Sequence, residues 1–296
     1  MPEDYLVHAV GRRFNVRGYA ALTTELVNKL GEIHRIYPTA LAALGRLATA
    51  GAMLGAMLKD SERLSIQLKG DGPVGRLIVD ADPQGHVRGY IQNPQVHLPP
   101  QKPGKLDVGR AVGRDGFLTV VKDLGLKEPY YGSIPLVTGE VADDLAAYFH
   151  KSEQIPSGVG LGVLVNPDGS VQAAGGFIVQ TLPGFAEQEI RRLEQGLSAV
   201  KSVTEFLRTG VKPENLLEMI YPGEFEVTAR QEIIFQCRCN KDKLADALAS
   251  LGYEELQSLA QEGNAEIICN FCNSKYLFSA GELDELLKRM KFKEGN

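Results

Sequence analysis

Cysteine is scarce in this chain, with four in 296 residues and none before position 237. Sulfurs confined to one cluster cannot form a framework of structural disulfides, and this points to a reducing compartment. A basic excess is also lacking. The formal charge is −5 and the pI is near 5.7, which argues against a dedicated nucleic-acid binder. From Met1 to Ala20 no uninterrupted apolar run occurs, and Glu3, Asp4, Arg12, Arg13 and Arg17 interrupt it. That is not a secretory signal, so the expected location is the cytoplasm. No Gly-Lys-Ser/Thr phosphate loop, nucleophile elbow or His-bearing metalloprotease motif is present. The glycines at 158, 160 and 162 fit neither phosphate-binding fingerprint and read as a tightly packed strand.

What the chain does have is an arrangement of its sulfurs. Cys237 and Cys239 stand in Cys-Arg-Cys, and Cys269 and Cys272 in Cys-Asn-Phe-Cys. Two close pairs joined by a long loop can supply the four corners of a zinc tetrahedron. His8, His34, His86, His97 and His150 all precede the cysteines, so a mixed Cys/His shell would need distant ligands. Four thiolates close the shell and leave no open position for a catalytic water. The plain reading is a structural zinc staple. The sharper one adds chemistry at sulfur: thiolates react with peroxide, and Arg238 between the first pair should favour the thiolate. Oxidised sulfurs no longer hold a metal.

Size gives that loss its consequence. A module of about 60 residues rarely folds on core burial alone. Zinc contributes about 10–16 kcal/mol in small metal domains, against a whole-domain stability of about 5–15 kcal/mol. Losing the metal should unfold the module, which is the logic of a redox switch.

Along the chain, the patterns predict an α+β protein. Tyr5–Val16 reads as a short strand pair, and Leu22–His34 and Pro38–Lys59 as helices. Ala, Leu, Gly and Met cover nearly all faces of 40–58, which therefore should be buried. Arg46 argues against a membrane span there, and the small residues allow either a core helix or a close dimer contact. Residues 64–93 switch to period two around Gly70-Asp71-Gly72-Pro73 and Asp82-Pro83-Gln84-Gly85, an antiparallel meander. Pro99, Pro100, Pro103 and Gly104 mark an irregular connection. Strands are expected at Phe117–Lys122, Ile134–Thr138, Val159–Val165 and Val171–Leu182, with a helix at Glu140–Lys151. Gly175-Gly176 suggests a bulge or close backbone approach.

Beyond Pro183-Gly184, the stretches Glu187–Val200, Ser202–Leu207 and Pro213–Ile220 read as short helices with one apolar stripe. Alone they are marginal and must lean on a neighbouring surface. In the tail, helices at Asp242–Ser250 and Glu254–Gln261 precede strands at Ala265–Cys269 and Lys275–Phe278. Ser279 and Glu282 open a last helix as a capping box. The expected parts are an antiparallel-sheet domain with packed helices over 1–184, a helical linker over 185–231, and a small zinc-binding module over 232–296.

With both cysteine pairs placed, the chain resembles the heat shock protein 33 family of redox-regulated holdase chaperones over essentially its full length. The segments that carry this are Pro38–Lys59, Asn93-Pro94-Gln95-Val96, Ala174–Pro183, the two cysteine pairs and Lys275-Tyr276-Leu277-Phe278. The resemblance implies one Zn²⁺ per chain, held by Cys237, Cys239, Cys269 and Cys272, in a reduced, inactive form. It implies oxidation to Cys237–Cys239 and Cys269–Cys272 disulfides, loss of zinc, and unfolding of module and linker. ATP-independent binding of unfolding client proteins follows, as a homodimer, without catalytic turnover, nucleic acid or membrane.

Two other classes compete. A thiol–disulfide oxidoreductase would use Cys269-Asn270-Phe271-Cys272, but such motifs open a helix near a βαβ unit. A zinc-ribbon nucleic-acid binder would use lysines such as Lys241, Lys243, Lys275 and Lys288, yet acidic residues interleave with them.

Overall fold

The computed structural model describes residues 3–100, 102 and 104–294; Pro103 of the expected connection and Met1 and Pro2 of the N-terminal stretch lie outside the described residues. The chain divides into two compact units, Met1–Gln236 and Cys237–Asn296.

In chain order, the first unit contains β1 (Tyr5–Gly11), β2 (Val16–Leu22), α1 (Thr24–His34), α2 (Pro38–Gly55), β3 (Arg63–Lys69), β4 (Arg76–Ala81) and β5 (His86–Ile91). There follow α3 (Val108–Val112), β6 (Phe117–Asp123), β7 (Tyr130–Pro135), and α4 (Val141–Tyr148), which runs on into one π turn. Then come β8 (Ser157–Val165), β9 (Val171–Thr181), α5 (Glu187–Ala199), α6 (Val203–Arg208), α7 (Pro213–Ile220), β10 (Phe225–Glu232) and β11 (Ile234–Phe235). One sheet has the order β10-β1-β2-β9-β8 and the other β11-β5-β4-β3-β6-β7. All pairings in both are antiparallel apart from β11 beside β5.

The all-round apolar character of α2 is explained by where it lies. Every residue from Thr39 to Gly55 except Arg46 is buried, in a core that takes Leu6, Tyr19 and Ile178 from one sheet and Leu64, Ile66 and Val79 from the other. A helix wrapped this way has no polar face to spare. Its small residues set the spacing: a Cβ at Gly51 would stand 2.5 Å from Val79 Cγ1. The small-residue surface is thus spent inside its own fold. Arg46 is the exception that the core must answer, and it pairs with Glu140 at the start of α4, where Lys105 also contributes an ammonium at 3.3 Å.

The helices α5, α6 and α7 cover the other face of the five-stranded sheet. Leu193, Val203, Leu207, Leu216, Leu217 and Ile220 pack on Tyr5, Val7, Phe177 and Val179 in a second core. A Cβ at Gly158 would lie 2.6 Å from Leu197 of α5 and one at Gly162 2.6 Å from Thr204 of α6, so these two glycines of β8 are seats for helix side chains, while Gly160 makes room for the Phe177 ring of β9. They cradle no phosphate. Glu224, just after α7, fastens this layer. Its fully covered carboxylate accepts the N–H groups of Arg13 at 2.7 Å and Phe14 at 2.9 Å in the β1–β2 turn.

Two expectations need correction. The strand expected at Ile134–Thr138 lies earlier, because β7 pairs Tyr130 to Pro135 with Lys122 to Phe117 of β6. Residues 137 and 138 instead form a turn whose N–H groups bond the Asp144 carboxylate. The stretch expected to be a helical linker is helical only to Ile220; β10 then joins the edge of the sheet beside β1. Its residues after Phe225 are mostly exposed, so no alternation of apolar and polar residues announces it.

The second unit contains α8 (Lys241–Ala249), α9 (Tyr253–Gln261), β12 (Asn264–Ile268), β13 (Lys275–Ser279) and α10 (Ala280–Glu294). β12 and β13 form an antiparallel hairpin. Its core cluster has only Leu248, Leu256, Ala265, Phe278, Leu283, Leu286 and Leu287 as buried members. Glu282 reaches back to accept the Ser279 N–H at 2.9 Å, as a capping box requires, while the Ser279 hydroxyl donates to the same carboxylate.

Candidate metal centre

Local chain geometry presents the second cysteine pair. Cys269 follows the last residue of β12, and the chain must reverse before Lys275 opens β13. It does so in a knuckle closed by two backbone bonds, Asn273 N–H to Cys269 O at 2.8 Å and Cys269 N–H to Ser274 O at 2.9 Å. Asn273 takes the left-handed conformation with φ +56°, which asparagine tolerates better than most residues. The N–H groups of Phe271 and Cys272 are thereby turned toward the Cys269 sulfur. The first pair sits on an irregular stretch ahead of α8, whose N-terminus is capped by the Asn240 side chain accepting the Lys243 N–H.

The hairpin and this stretch bring all four sulfurs together, every Sγ within 4.8 Å of the others. Cys237 and Cys269 are 3.7 Å apart, and Cys239 and Cys272 are 3.3 Å apart. Zinc–sulfur bonds of about 2.3 Å would set tetrahedral S···S edges at about 3.8 Å. The donor set and the spacing fit a four-thiolate zinc site. No other group of three or more metal-competent side chains occurs among the described residues.

The sulfurs are chemically unequal. Burial is the main influence on Cys239 and pushes it up to about 12, opposed by the Tyr276 hydroxyl, whose Oη lies 3.2 Å from the sulfur. Burial also raises Cys269, against the Phe271 and Cys272 amides. At Cys272 burial pushes the same way but is outweighed: the Ser274 hydroxyl, 3.2 Å away, the Ser274 amide and the neighbouring cysteines bring it down to about 7. Arg238 is not among the main causes at any of these three; its carbonyl accepts the Lys243 ammonium. Hydrogen bonds from Ser274 and Tyr276 are among the leading causes that lower Cys272 and Cys239. Tyr276 stands in the Lys275-Tyr276-Leu277-Phe278 motif, but its reach to Cys239 depends on hairpin register.

The geometry does not suit a disulfide-exchanging enzyme. Cys269 and Cys272 sit between two antiparallel strands rather than at the start of a helix, and all four sulfurs converge. Among the described residues, no helix is long and apolar enough to cross a membrane.

Comparison with known proteins agrees with the site. The family model described as Hsp33 protein matches residues 4–279. The 33 kDa chaperonin of Geobacillus kaustophilus is 50% identical over 97% of this chain and 99% of that protein. The 33 kDa chaperonin of Bacillus subtilis is 47% identical over 96% and 98%. The crystal structure of the 33 kDa chaperonin (heat shock protein 33 homolog) of Thermotoga maritima superposes with a TM-score of 0.89 at 35% identity, covering all of both chains. The chain, with its mixed α+β fold and its clustered C-terminal cysteines, belongs to the Hsp33 family of chaperones.

Proposed function

We propose that this chain is an ATP-independent holdase switched by oxidation at its four cysteines. The observation that carries the reading is the convergence of Cys237, Cys239, Cys269 and Cys272 in a unit whose cluster has seven buried side chains. These cysteines would hold one Zn²⁺, and the ion's contribution is to fix four backbone positions that so small a core cannot fix alone. The functional parts we assign are a core over 1–184, a linker over 185–231 and a switch module over 232–296.

Peroxide is the oxidant class that suits the sulfurs. A thiolate attacks one peroxide oxygen and breaks the O–O bond, giving a sulfenic acid and water after protonation. The neighbouring thiolate of the pair then displaces the hydroxyl, which leaves as a second water, and the S–S bond forms. Each disulfide thus takes two electrons from two sulfurs and reduces one peroxide to two waters. Cys272, lowest of the shifted thiols, is the natural first nucleophile. With Cys237–Cys239 and Cys269–Cys272 joined, no thiolates remain to hold a metal, and the module loses its staple.

Release of α5–α7 would then uncover Tyr5, Val7, Phe177 and Val179, an apolar sheet face able to hold unfolding clients. The oxidised chain acts as a cytoplasmic homodimer on unfolded proteins, with no catalytic turnover and no nucleic-acid or membrane partner. The test follows light scattering of a heat-unfolding client while zinc release is monitored. Protection by the peroxide-treated chain and little by the reduced chain is expected. Equal aggregation with both, after verified zinc release, rejects the switch.

A further inference from the structure

The sheet face beneath α5–α7 is not flat. Side chains of the layer enter four positions of the five-stranded sheet that have no Cβ. One built at Gly18 would stand 2.9 Å from a methyl of Leu217, and one at Gly158 2.6 Å from Leu197. At Gly162 it would meet Thr204 at 2.6 Å, and at Gly175 Leu207 at 2.5 Å. Three of the four occupants are leucines. Glycine weakens a strand interior and marks close approach, so the sheet gives up strand stability to keep these seats.

Register arranges them. Gly18 and Gly158 both stand beside Val179, and Gly162 stands beside Gly175. Between these rows Phe177 leans its ring over Gly160. The face thus has a raised centre with depressions around it, each shaped for the end of an aliphatic side chain. Gly18 and Gly158 are two strand steps apart, about 9.6 Å. Leucines seven residues apart on a helix are separated by about 10.5 Å and share one face. The present occupants are a modest match: α5 has one buried side chain, Leu193, and Gly196 in its interior disfavours the helix.

We propose that this face selects, among unfolding proteins, amphipathic helical segments with leucines seven residues apart, and that α5–α7 covers it as an internal stand-in for such a segment. The inference rests on the holdase reading above and names the client feature which that site takes. While the layer is in place the seats are filled, so the reduced chain takes no client. Once the layer leaves, a helix with a full leucine stripe lays its apolar face into the vacated seats. Leucine suits them because its branch lies at Cγ, beyond the point where a β-branched side chain is already wide.

The experiment uses the oxidised, zinc-free full-length chain and a fluorescent eighteen-residue helical peptide, with leucines seven residues apart on one face and alanine, lysine and glutamate elsewhere. Anisotropy should report binding by the oxidised chain and none by the reduced, zinc-loaded chain. A peptide of the same composition with its leucines scattered around the helix should bind at least about tenfold more weakly. The seats are filled by Gly18→Ala with Gly158→Ala, combined with Leu217→Ala and Leu197→Ala so that the closed layer has room for the added methyls. This variant should bind the peptide about tenfold more weakly when oxidised, while the circular dichroism and zinc stoichiometry of its reduced form match the parent. Leu197→Ala with Leu217→Ala alone leaves the seats open and should keep the parent's affinity. Equal binding of the two peptides, equal binding by the filled and open variants, or binding by the reduced chain overturns the inference. Should the filled variant not fold, the comparison of the two peptides decides alone. Client protection is followed in the same samples. Protection without these preferences rejects the leucine site and leaves the switch standing; absence of protection rejects the switch and the site with it.

Discussion

The carboxylate of Glu224 accepts the backbone N–H of Arg13 at 2.7 Å with no exposure to solvent. It also takes the Phe14 N–H and the Arg13 guanidinium, and the Glu224 carbonyl accepts the Arg12 N–H. One residue thus pins the end of the α5–α7 layer to the β1–β2 turn. Truncation would leave N–H donors without their acceptor, a cost of about 2–4 kcal/mol. Glu224→Ala should therefore loosen the layer without touching the cysteines. The expected result is faster amide exchange at Leu216 and Ile220 and partial client protection by the reduced chain. Unchanged exchange at those residues would show that the clip does not hold the layer down.

Metal removal makes a prediction about where structure is lost. Zinc in such modules contributes about 10–16 kcal/mol, more than a cluster of seven buried side chains can replace. Chelation under reducing conditions should expose Leu256, Phe278 and Leu283 amides to exchange while Leu44 and Ile66 in α2 and β3 stay protected. Protection that survives in the small unit would remove the basis of the proposed switch.

The cysteine cluster was legible because two close pairs joined by a long loop are the spacing that a four-thiolate metal site requires of a sequence. The burial of α2 was equally plain from its composition, although which two sheets enclose it was not. What escaped depends on contacts between distant residues. Tyr276 reaches Cys239 because β13 places it opposite Ile267. Asp4, just ahead of β1, caps α1 from far along the chain, accepting the Glu25 and Leu26 N–H groups while Thr23 makes no side-chain cap. β10 was missed for a different reason. An exposed edge strand buries almost nothing, so no selection for apolar alternation marks it.

Tyr276 should moderate the rate of oxidation. Its hydroxyl lies 3.2 Å from Cys239 Sγ and can donate to the thiolate, lowering the electron density available for attack on peroxide. Tyr276→Phe keeps the ring that packs against the small core and removes this bond together with the longer one from the hydroxyl to the Cys239 carbonyl at 3.4 Å. A charge-assisted hydrogen bond of about 1.5–3 kcal/mol is expected to act partly on the transition state. Stopped-flow zinc release at fixed peroxide should accelerate by about threefold or more. An unchanged rate, with zinc stoichiometry intact, would mean the hydroxyl serves only the fold.

Asp4 predicts how stability varies with pH. Burial pushes its carboxyl up to about 7, against the N–H bonds from Leu26 and Glu25 and with the Glu25 charge. The folded chain therefore holds a proton between about pH 4 and 7 that the unfolded chain, near the ordinary value of about 3.9, has lost. Stability from this group is present at the acidic end, declines as pH rises through that window, and is flat above it. Three units correspond to at most about 4 kcal/mol. His8 acts in the opposite sense below its ordinary value, because burial and Arg17 lower it, so the comparison must be with a variant. Asp4→Asn should remove the Asp4 part of the slope, and urea melts of both chains at pH 5.0 and 8.0 measure it. The variant should lose less stability than the parent between those values. Parallel behaviour of the two chains would show that Asp4 stays ionised in the fold, held by the amide groups of α1.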